Sequence, residues 1–179
     1  MDLASLQQQL QCPDLAPVES WQPEFCGDLP LLITADGRWL YQGSEIRRQP
    51  MVRLFASVLI CQQQQYYLKT PVEKVRIEVE DAPFLVVASQ WQPSVHGPLL
   101  ALTTNIGDTV SVTPRFPLRL KAFGQQQLPY LQLWRGLSAR INRNTYYELI
   151  ERAHEVYCNG EHHFQLKSAG YPFTLGILP

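Results

Sequence analysis

The chain has 179 residues, of which 45% are hydrophobic and 17% charged, so it can bury a core and has an ordinary globular composition. Its formal net charge of −1 arises from 15 Lys+Arg and 16 Asp+Glu, and it therefore produces no global field that attracts polyanions. With no secretory signal and no apolar run long enough to span a bilayer, the sequence predicts a cytoplasmic protein that binds neither membrane nor nucleic acid.

The first 30 residues are predicted to form an amino-terminal arm. A short helix is expected over residues 3–10, followed by a connector in which four prolines disfavour continuous secondary structure. The four cysteines are scattered and form no C-x-x-C pair, which predicts free thiols in a reducing compartment.

Residues 31–97 are predicted to form a first domain. Strands at 31–34 and 38–42 flank Asp36-Gly37, which is a strong hairpin signal. Pro50 suits the first turn of a helix that is expected to reach Leu59. Further strands are predicted at 66–69, 75–80 and 84–88, where apolar residues alternate or run continuously.

Residues 98–179 are predicted to form a second domain. Strands at 99–103 and 110–112 flank a turn at 104–108, and another strand is expected at 130–134. Asn144 is the expected N-cap of a helix that ends near Asn159-Gly160, and strands follow at 164–167 and 173–177.

An internal repeat relates the two predicted domains. Residues 39–55 align with 134–150 without a gap, and the identical pairs are Trp39 with Trp134, Ile46 with Ile141, Arg48 with Arg143, and Leu54 with Leu149. Two later segments, 66–70 and 82–85, resemble 164–168 and 171–174 in the same order. The sequence therefore predicts an α+β protein of two structurally related halves, each an antiparallel sheet with one helix, and a ligand cleft between them.

Candidate ligand-binding residues are polar groups near predicted helix starts and strand ends. Arginines precede both helices, where guanidinium and helix amides could together hold an anion, although pairing with Glu45 and Glu148 is the plainer alternative. The turns bracketing the strands supply the other candidates, although each could equally be structural. The predicted set is Arg48, Thr70, Lys74, Asp81, Asn105, Asp108, Arg119 and Arg143, with Trp39, Tyr41 and Trp134 as aromatic platforms for a base.

No catalytic signature is present in the sequence. It has no nucleophile elbow, no Walker loop and no dinucleotide fingerprint, so no catalytic residue and no cofactor is predicted. His154 and Cys158 would share a helix face near His162 and His163, but the adjacent histidines point to opposite sides and the set is not predicted to bind metal.

Several long motifs resemble one bacterial family. The stretches ITADGRWLYQGSEIRRQPMVRLFASVL and YYLKTPVEKVRIEVEDAPF, then TNIGD, FPLRL and RGLSARINRNTYYELI, are similar to the family called domain of unknown function 1285. That resemblance implies a duplicated core, a carboxy-terminal half superficially like a pleckstrin-homology fold, a site for a nucleotide-like molecule where the domains meet, and a role in signal transduction.

The sequence therefore predicts a non-enzymatic module that binds a small anionic or nucleotide-like ligand and passes the event to a protein partner. Two alternatives remain open: a protein-interaction scaffold without a small ligand, and a hydrolase of phosphate esters.

Overall fold

The structure is a computed structural model that describes residues 17–178, so the predicted helix at 3–10 lies outside the described residues. The protein is α+β, as predicted, and consists mostly of sheet with two α-helices in the described residues. Its contacts divide it into two compact units. The first holds residues 17–83 together with Arg135–Leu137, and the second holds Phe84–Trp134 and residues 138–178.

The first unit contains a six-stranded sheet with the spatial order β3-β2-β1-β6-β5-β4. Within the described residues, β1 and β6 form its one parallel pair, and the other neighbours are antiparallel. The strands are β1 (Phe25–Ile33), β2 (Trp39–Tyr41), β3 (Ser44–Glu45), β4 (Leu59–Gln62), β5 (Gln65–Lys69) and β6 (Lys74–Val79).

The connection between the two edge strands of this sheet contains helix α1 (Gln49–Ser57), with Pro50 in its first turn as predicted. It ends before Leu59, because Leu59 pairs with Leu68 as the first residue of β4. The helix buries Val52, Phe55 and Ala56, which lie along one face.

Strand β1 begins at Phe25, inside the region predicted to be an irregular connector. Irregular pairing with β6 between Phe25 and Leu32 accommodates Gly27, which has φ +95°, and Pro30. The prolines predicted an irregular connector here, and the structure instead has a strand whose pairing is irregular.

The second unit contains another six-stranded sheet, with the order β10-β11-β12-β7-β8-β9. Its one parallel pair in the described residues joins β7 and β12. The strands are β7 (Phe84–Gln92), β8 (Leu99–Thr104), β9 (Thr109–Ser111), β10 (Leu118–Phe123), β11 (Gln126–Gln132) and β12 (Ser138–Ile141). If the strands of each sheet are numbered from one to six along the chain, the first sheet has the spatial order 3-2-1-6-5-4. The second sheet has the same order when it is read from β9 to β10. The two halves therefore share one topology.

The edge strands of the second sheet are joined by a tight turn instead of a helix. Thr113 and Phe116 exchange two backbone hydrogen bonds of 3.3 and 3.0 Å between the end of β9 and the start of β10. Strands at opposite edges of a flat six-stranded sheet would lie about 24 Å apart, at roughly 4.8 Å for each step. The second sheet must therefore curl until its edges meet.

Helix α2 (Arg143–Ile150) follows β12, and a three-stranded antiparallel sheet completes the second unit. Its strands are β13 (His154–Cys158), β14 (Glu161–Ser168) and β15 (Tyr171–Leu178). Strand β15 packs against β10 and β11, and Leu166, Phe173 and Leu175 are buried.

Two predictions about helix α2 are wrong. The N-cap is Asn142, whose side chain accepts a 2.8 Å hydrogen bond from the Thr145 amide, and not Asn144. The helix also ends at Ile150, because residues 154–158 pair with β14. Asn159 and Gly160 form the hairpin turn with φ +53° and +86°, so the glycine marked a turn between strands and not a helix end.

The sequence repeat does not match the structural one. Trp39 lies in β2, whereas Trp134 lies in a 3₁₀ turn before β12. By sheet topology, β2 corresponds to β8 and β12 corresponds to β6. The two halves are therefore related in structure. The alignment of 39–55 with 134–150 superposes the two helices, but it does not superpose equivalent strands of the two sheets.

Candidate functional site

The four predicted site residues of the first unit take separate local roles. Arg48 is exposed at the N-cap of α1 and its side chain makes no capping bond. Thr70 is fully buried, and its hydroxyl accepts a 3.0 Å hydrogen bond from the Glu73 amide, which stabilises the turn before β6. This geometry favours the structural alternative for Thr70.

Lys74 and Asp81 lie beside tyrosines of β5. The Lys74 ammonium donates to Gln62 Oε1 at 2.5 Å and lies 4.2 Å from the centre of the Tyr67 ring. Burial raises the pKa of Tyr66 to about 12, with further contributions from Cys61 and Asp81. The Tyr66 phenol is therefore neutral at physiological pH.

In the second unit, Asn105 and Asp108 belong to the turn between β8 and β9. The Asn105 side-chain oxygen accepts a 3.0 Å hydrogen bond from the Leu85 backbone amide. The backbone amide of Asn105 donates to the Leu85 carbonyl. The Asp108 amide donates to the Thr104 hydroxyl at 3.1 Å. These bonds fasten the turn to β7 and close it.

Arg119 and Arg143, the other two predicted residues, lie in a part of the chain with an unusual charge distribution. From Thr109 to Tyr147 the sequence has no Asp or Glu. The same stretch contains six basic residues, which are Arg115, Arg119, Lys121, Arg135, Arg140 and Arg143. The overall charge of −1 therefore conceals a strongly basic segment.

Strands β10, β11 and β12 place several of these cations on one face of the second sheet. Arg119 pairs with Tyr130, which in turn pairs with Arg140, so the three side chains form a row across the strands. Lys121 lies on the same side of β10 as Arg119, because residues two apart in a strand share a face. We call Arg119, Lys121, Phe123, Tyr130 and Arg140 the basic face.

Aromatic rings lie between the cations of the basic face. The Lys121 ammonium lies 5.3 Å from the centre of the Tyr130 ring, and the Arg140 guanidinium lies 4.8 Å from that of Phe123. Tyr130 is fully buried, whereas Phe123 is 37% exposed. Arg119 and Lys121 are exposed, and within the described part of the chain neither forms an ion pair.

Arg143 begins helix α2 just beyond the end of β12. Its Nε donates to the Tyr147 hydroxyl at 3.2 Å, and its guanidinium lies 5.5 Å from the centre of that ring. The amide of Thr145 is already bonded to the Asn142 side chain, so it is not free to contact an anion.

Of the three predicted aromatic platforms, Trp39 is buried, whereas Tyr41 and Trp134 are half-buried. Trp39 is 2% exposed and belongs to the core. Trp134 packs edge-on against Phe116 with ring centres 6.2 Å apart. The exposed aromatic ring of the basic face is Phe123, which was not predicted from the sequence.

The histidine and cysteine group lies on the β13–β14 hairpin and not on a helix. His162 contacts Glu155 and packs edge-to-face against Tyr157, with ring centres 4.9 Å apart. Among residues 17–178, no group of three or more His, Cys, Asp or Glu is arranged to hold a metal ion. No helix in that range is long and apolar enough to cross a membrane.

An arginine of the first unit whose side chain is only 11% exposed was also missed. Arg135 has φ +55°, and its side chain donates to Glu19 Oε1 and to the carbonyl of Ser57 at the end of α1, both at 2.6 Å. Gly136 follows with φ +71°, and a Cβ placed there would lie 2.8 Å from the Cys61 carbonyl oxygen. The Arg-Gly pair in RGLSARIN is the sequence signal for this arrangement.

The fold and the basic face define a two-part α+β protein that resembles known structures over nearly its whole length. The family profiles for the amino-terminal and carboxy-terminal domains of DUF1285, a domain of unknown function, match residues 16–82 and 83–175. The chain belongs to the DUF1285 family, as the sequence motifs predicted.

Two solved structures of DUF1285 family proteins are similar to this chain. The one from Silicibacter pomeroyi DSS-3 is 36% identical, with a TM-score of 0.87 over 98% of this chain and 94% of that one. The one from Shewanella baltica OS155 is 34% identical, with a TM-score of 0.56 over 70% of this chain and 94% of that one. No curated protein matches the chain.

Proposed function

We propose that this protein binds a small anionic ligand, of nucleotide-like chemistry, on the basic face, and that it does so as a signalling module and not as an enzyme. The observation that carries the proposal is that β10, β11 and β12 contain three cations and no carboxylate in a protein whose overall charge is −1. Arg119 and Lys121 point to solvent without an acidic partner in the described residues.

The two kinds of side chain on this face suit the two parts of a nucleotide. Guanidinium groups bind phosphate through paired hydrogen bonds, and Lys121 adds a compact positive charge. The exposed part of Phe123 offers an apolar surface beside those charges, against which a base can stack. A ligand that uses both should bind more tightly than inorganic phosphate.

A thermal-shift screen of nucleoside mono-, di- and triphosphates against the full chain tests this proposal, with inorganic phosphate and pyrophosphate as base-free controls. We expect one or more nucleotides to raise the melting temperature in proportion to the logarithm of their concentration. We expect Arg119→Ala and Lys121→Ala each to weaken binding by about tenfold, because each removes a charge-assisted contact.

Arg47→Ala is the matched control, because Arg47 is an exposed arginine of the first unit that lies 3.9 Å from Glu45. It should leave binding unchanged. A melting temperature that stays unchanged at millimolar ligand would exclude the proposal and favour a protein-interaction scaffold. Release of phosphate from a bound ester would favour the hydrolase. Equal responses to phosphate and to nucleotides would reduce the proposal to a simple anion site.

A further inference from the structure

The third sheet has an apolar face that continues beyond the part of it that is buried. Along β14, Phe164 and His162 lie on the same side as Leu166, which is 6% exposed and belongs to the core. His162 pairs with Tyr157 of β13 and with Leu178 of β15, so these two residues extend the same face. Tyr157 is 68% exposed and Leu178 is 56% exposed.

Strand β13 borders this uncovered face, and the side chains on both of its own faces are exposed. All five of its residues are exposed, and in the described residues no strand pairs with its outer edge. Its inner edge is fully paired with β14. An edge strand with exposed apolar side chains is a template for an added strand.

The hairpin turn determines which backbone groups this edge presents. A two-residue turn at Asn159-Gly160 makes Cys158 and Glu161 a hydrogen-bonded pair, and hydrogen-bonded pairs then alternate along the hairpin. The pairs of Tyr157 and of Glu155 with β14 are consequently not hydrogen-bonded. The N–H and C=O groups of Glu155 and Tyr157 therefore point outward, toward an incoming strand.

The charge around β13 indicates the chemistry of that strand. From Glu148 to Glu161 the chain has four glutamates and one arginine, and all five side chains are exposed. Glu155 lies on the same face as Tyr157, where its carboxylate contacts His162 and remains exposed. An incoming strand would therefore place its residues next to an apolar surface and next to carboxylates.

We propose that β13 is a docking edge for an extended segment of a partner protein in which an apolar residue and a lysine or arginine stand two positions apart. Residues two apart in a strand share a face, so backbone hydrogen bonds to Glu155 and Tyr157 align the segment with its apolar residue against Tyr157 and its basic residue against Glu155. This surface shares no residue with the basic face, and its occupant carries the opposite charge to a nucleotide.

Amide hydrogen exchange of the full chain tests the proposal, with a seven-residue threonine peptide that carries valine at its second and sixth positions and lysine at its fourth as the probe. We expect the peptide at millimolar concentration to slow exchange at Glu155 and Tyr157 by about tenfold, because their outward N–H groups become bonded. His154 and Val156, which are already bonded to β14, should change little.

Two controls separate backbone pairing from charge. A peptide that is N-methylated on the residues facing β13 cannot donate to the edge and should give no protection. Glu155→Gln keeps the outward amide but removes the charge, and we expect it to weaken the lysine peptide by about two- to fivefold. The same peptide with glutamate in place of lysine should not bind.

Three results would overturn the docking edge. The first is unchanged exchange at Glu155 and Tyr157 with the lysine peptide, and the second is equal protection by the glutamate peptide. The third is protection without any peptide that grows with protein concentration and accompanies a doubling of mass, since a second copy would then occupy the edge. None of these readouts depends on a nucleotide, so the two proposals fail separately.

Discussion

The two six-stranded sheets have one strand order but close in different ways. In the first, helix α1 connects the edge strands β3 and β4, and its Phe55 is fully buried. In the second, the turn at Thr113–Phe116 connects β9 and β10, and the helix comes after the last strand. Strand order and helix position are thus independent features of this fold, and only the strand order is shared.

Phe55→Ala tests the helix that connects the edge strands of the first sheet, and it should give the largest loss of stability. We expect it to lower the free energy of unfolding by about 3–5 kcal/mol, because it removes a fully buried ring from the helix that bridges the first sheet. Phe116→Ala, in the half-buried turn of the second sheet, should cost about 1–2 kcal/mol. Urea denaturation measures both, and equal losses would contradict a helix that matters more than the turn.

Gly136→Ala tests the segment that returns to the first unit. We expect a loss of about 2–4 kcal/mol, because a Cβ would clash with the Cys61 carbonyl and the residue also has a positive φ. Gly160→Ala is the matched control, since Gly160 has φ +86° but open space around it, and it should cost only about 1 kcal/mol. Similar losses in both variants would show that the contact with Cys61 is unimportant.

A turn of the same geometry occurs once in each sheet and allows a direct comparison. Thr34 in the first sheet and Thr104 in the second each accept a 3.1 Å hydrogen bond at the hydroxyl from the amide four residues later. We expect Thr34→Val and Thr104→Val each to cost about 1 kcal/mol, because each leaves that amide without its partner. Melting temperatures that fall in only one variant would show that the turns are not equivalent.

Glu19 should give the smallest effect, visible as a pH dependence. The hydrogen bond from Arg135 is the main reason that the pKa of Glu19 lies below its usual range. A lowered pKa in the folded state stabilises above the ordinary carboxyl value, near pH 4.3, and this contribution is lost as pH falls through the lowered value. We expect Glu19→Gln to cost at most about 1 kcal/mol at pH 7, since Glu19 is largely exposed.

Urea denaturation of wild type and Glu19→Gln between pH 7 and pH 3 would measure this loss. The difference between the two proteins should shrink on the acid side. A difference that stays constant with pH would exclude the Arg135 contact as its source.

Much of the fold was predictable where the signal is local. The Asp36-Gly37 hairpin, the helix with Pro50 in its first turn and the alternating strand at Lys74–Val79 are confirmed, because turn chemistry and side-chain period act within a few residues. Helix α2 was predicted too long, because the apolar residues that follow Ile150 fit a helix as well as the hairpin that they actually form.

The pairings between distant strands could not be predicted, because neither β1 with β6 nor β7 with β12 leaves a signal in a local window. The domain bounds 31–97 and 98–179 stay a prediction. Arg119 and Arg143 were predicted from the sequence. The overall net charge of −1, however, gave no indication of the basic segment that contains them. The absence of acids from Thr109 to Tyr147 was visible in the sequence and would have indicated Lys121.

The parallel joining of first and last strands has a consequence for the order in which the chain is made. In each sheet these two strands are about fifty residues apart. During synthesis on the ribosome, β1 therefore cannot pair until β6 has been made, and β7 cannot pair until β12 has been made. The first unit waits longer still, because Arg135–Leu137 belongs to it. A fragment that stops at Pro83 would leave Glu19 and the end of α1 without Arg135, so the amino-terminal domain is best produced as part of the whole chain.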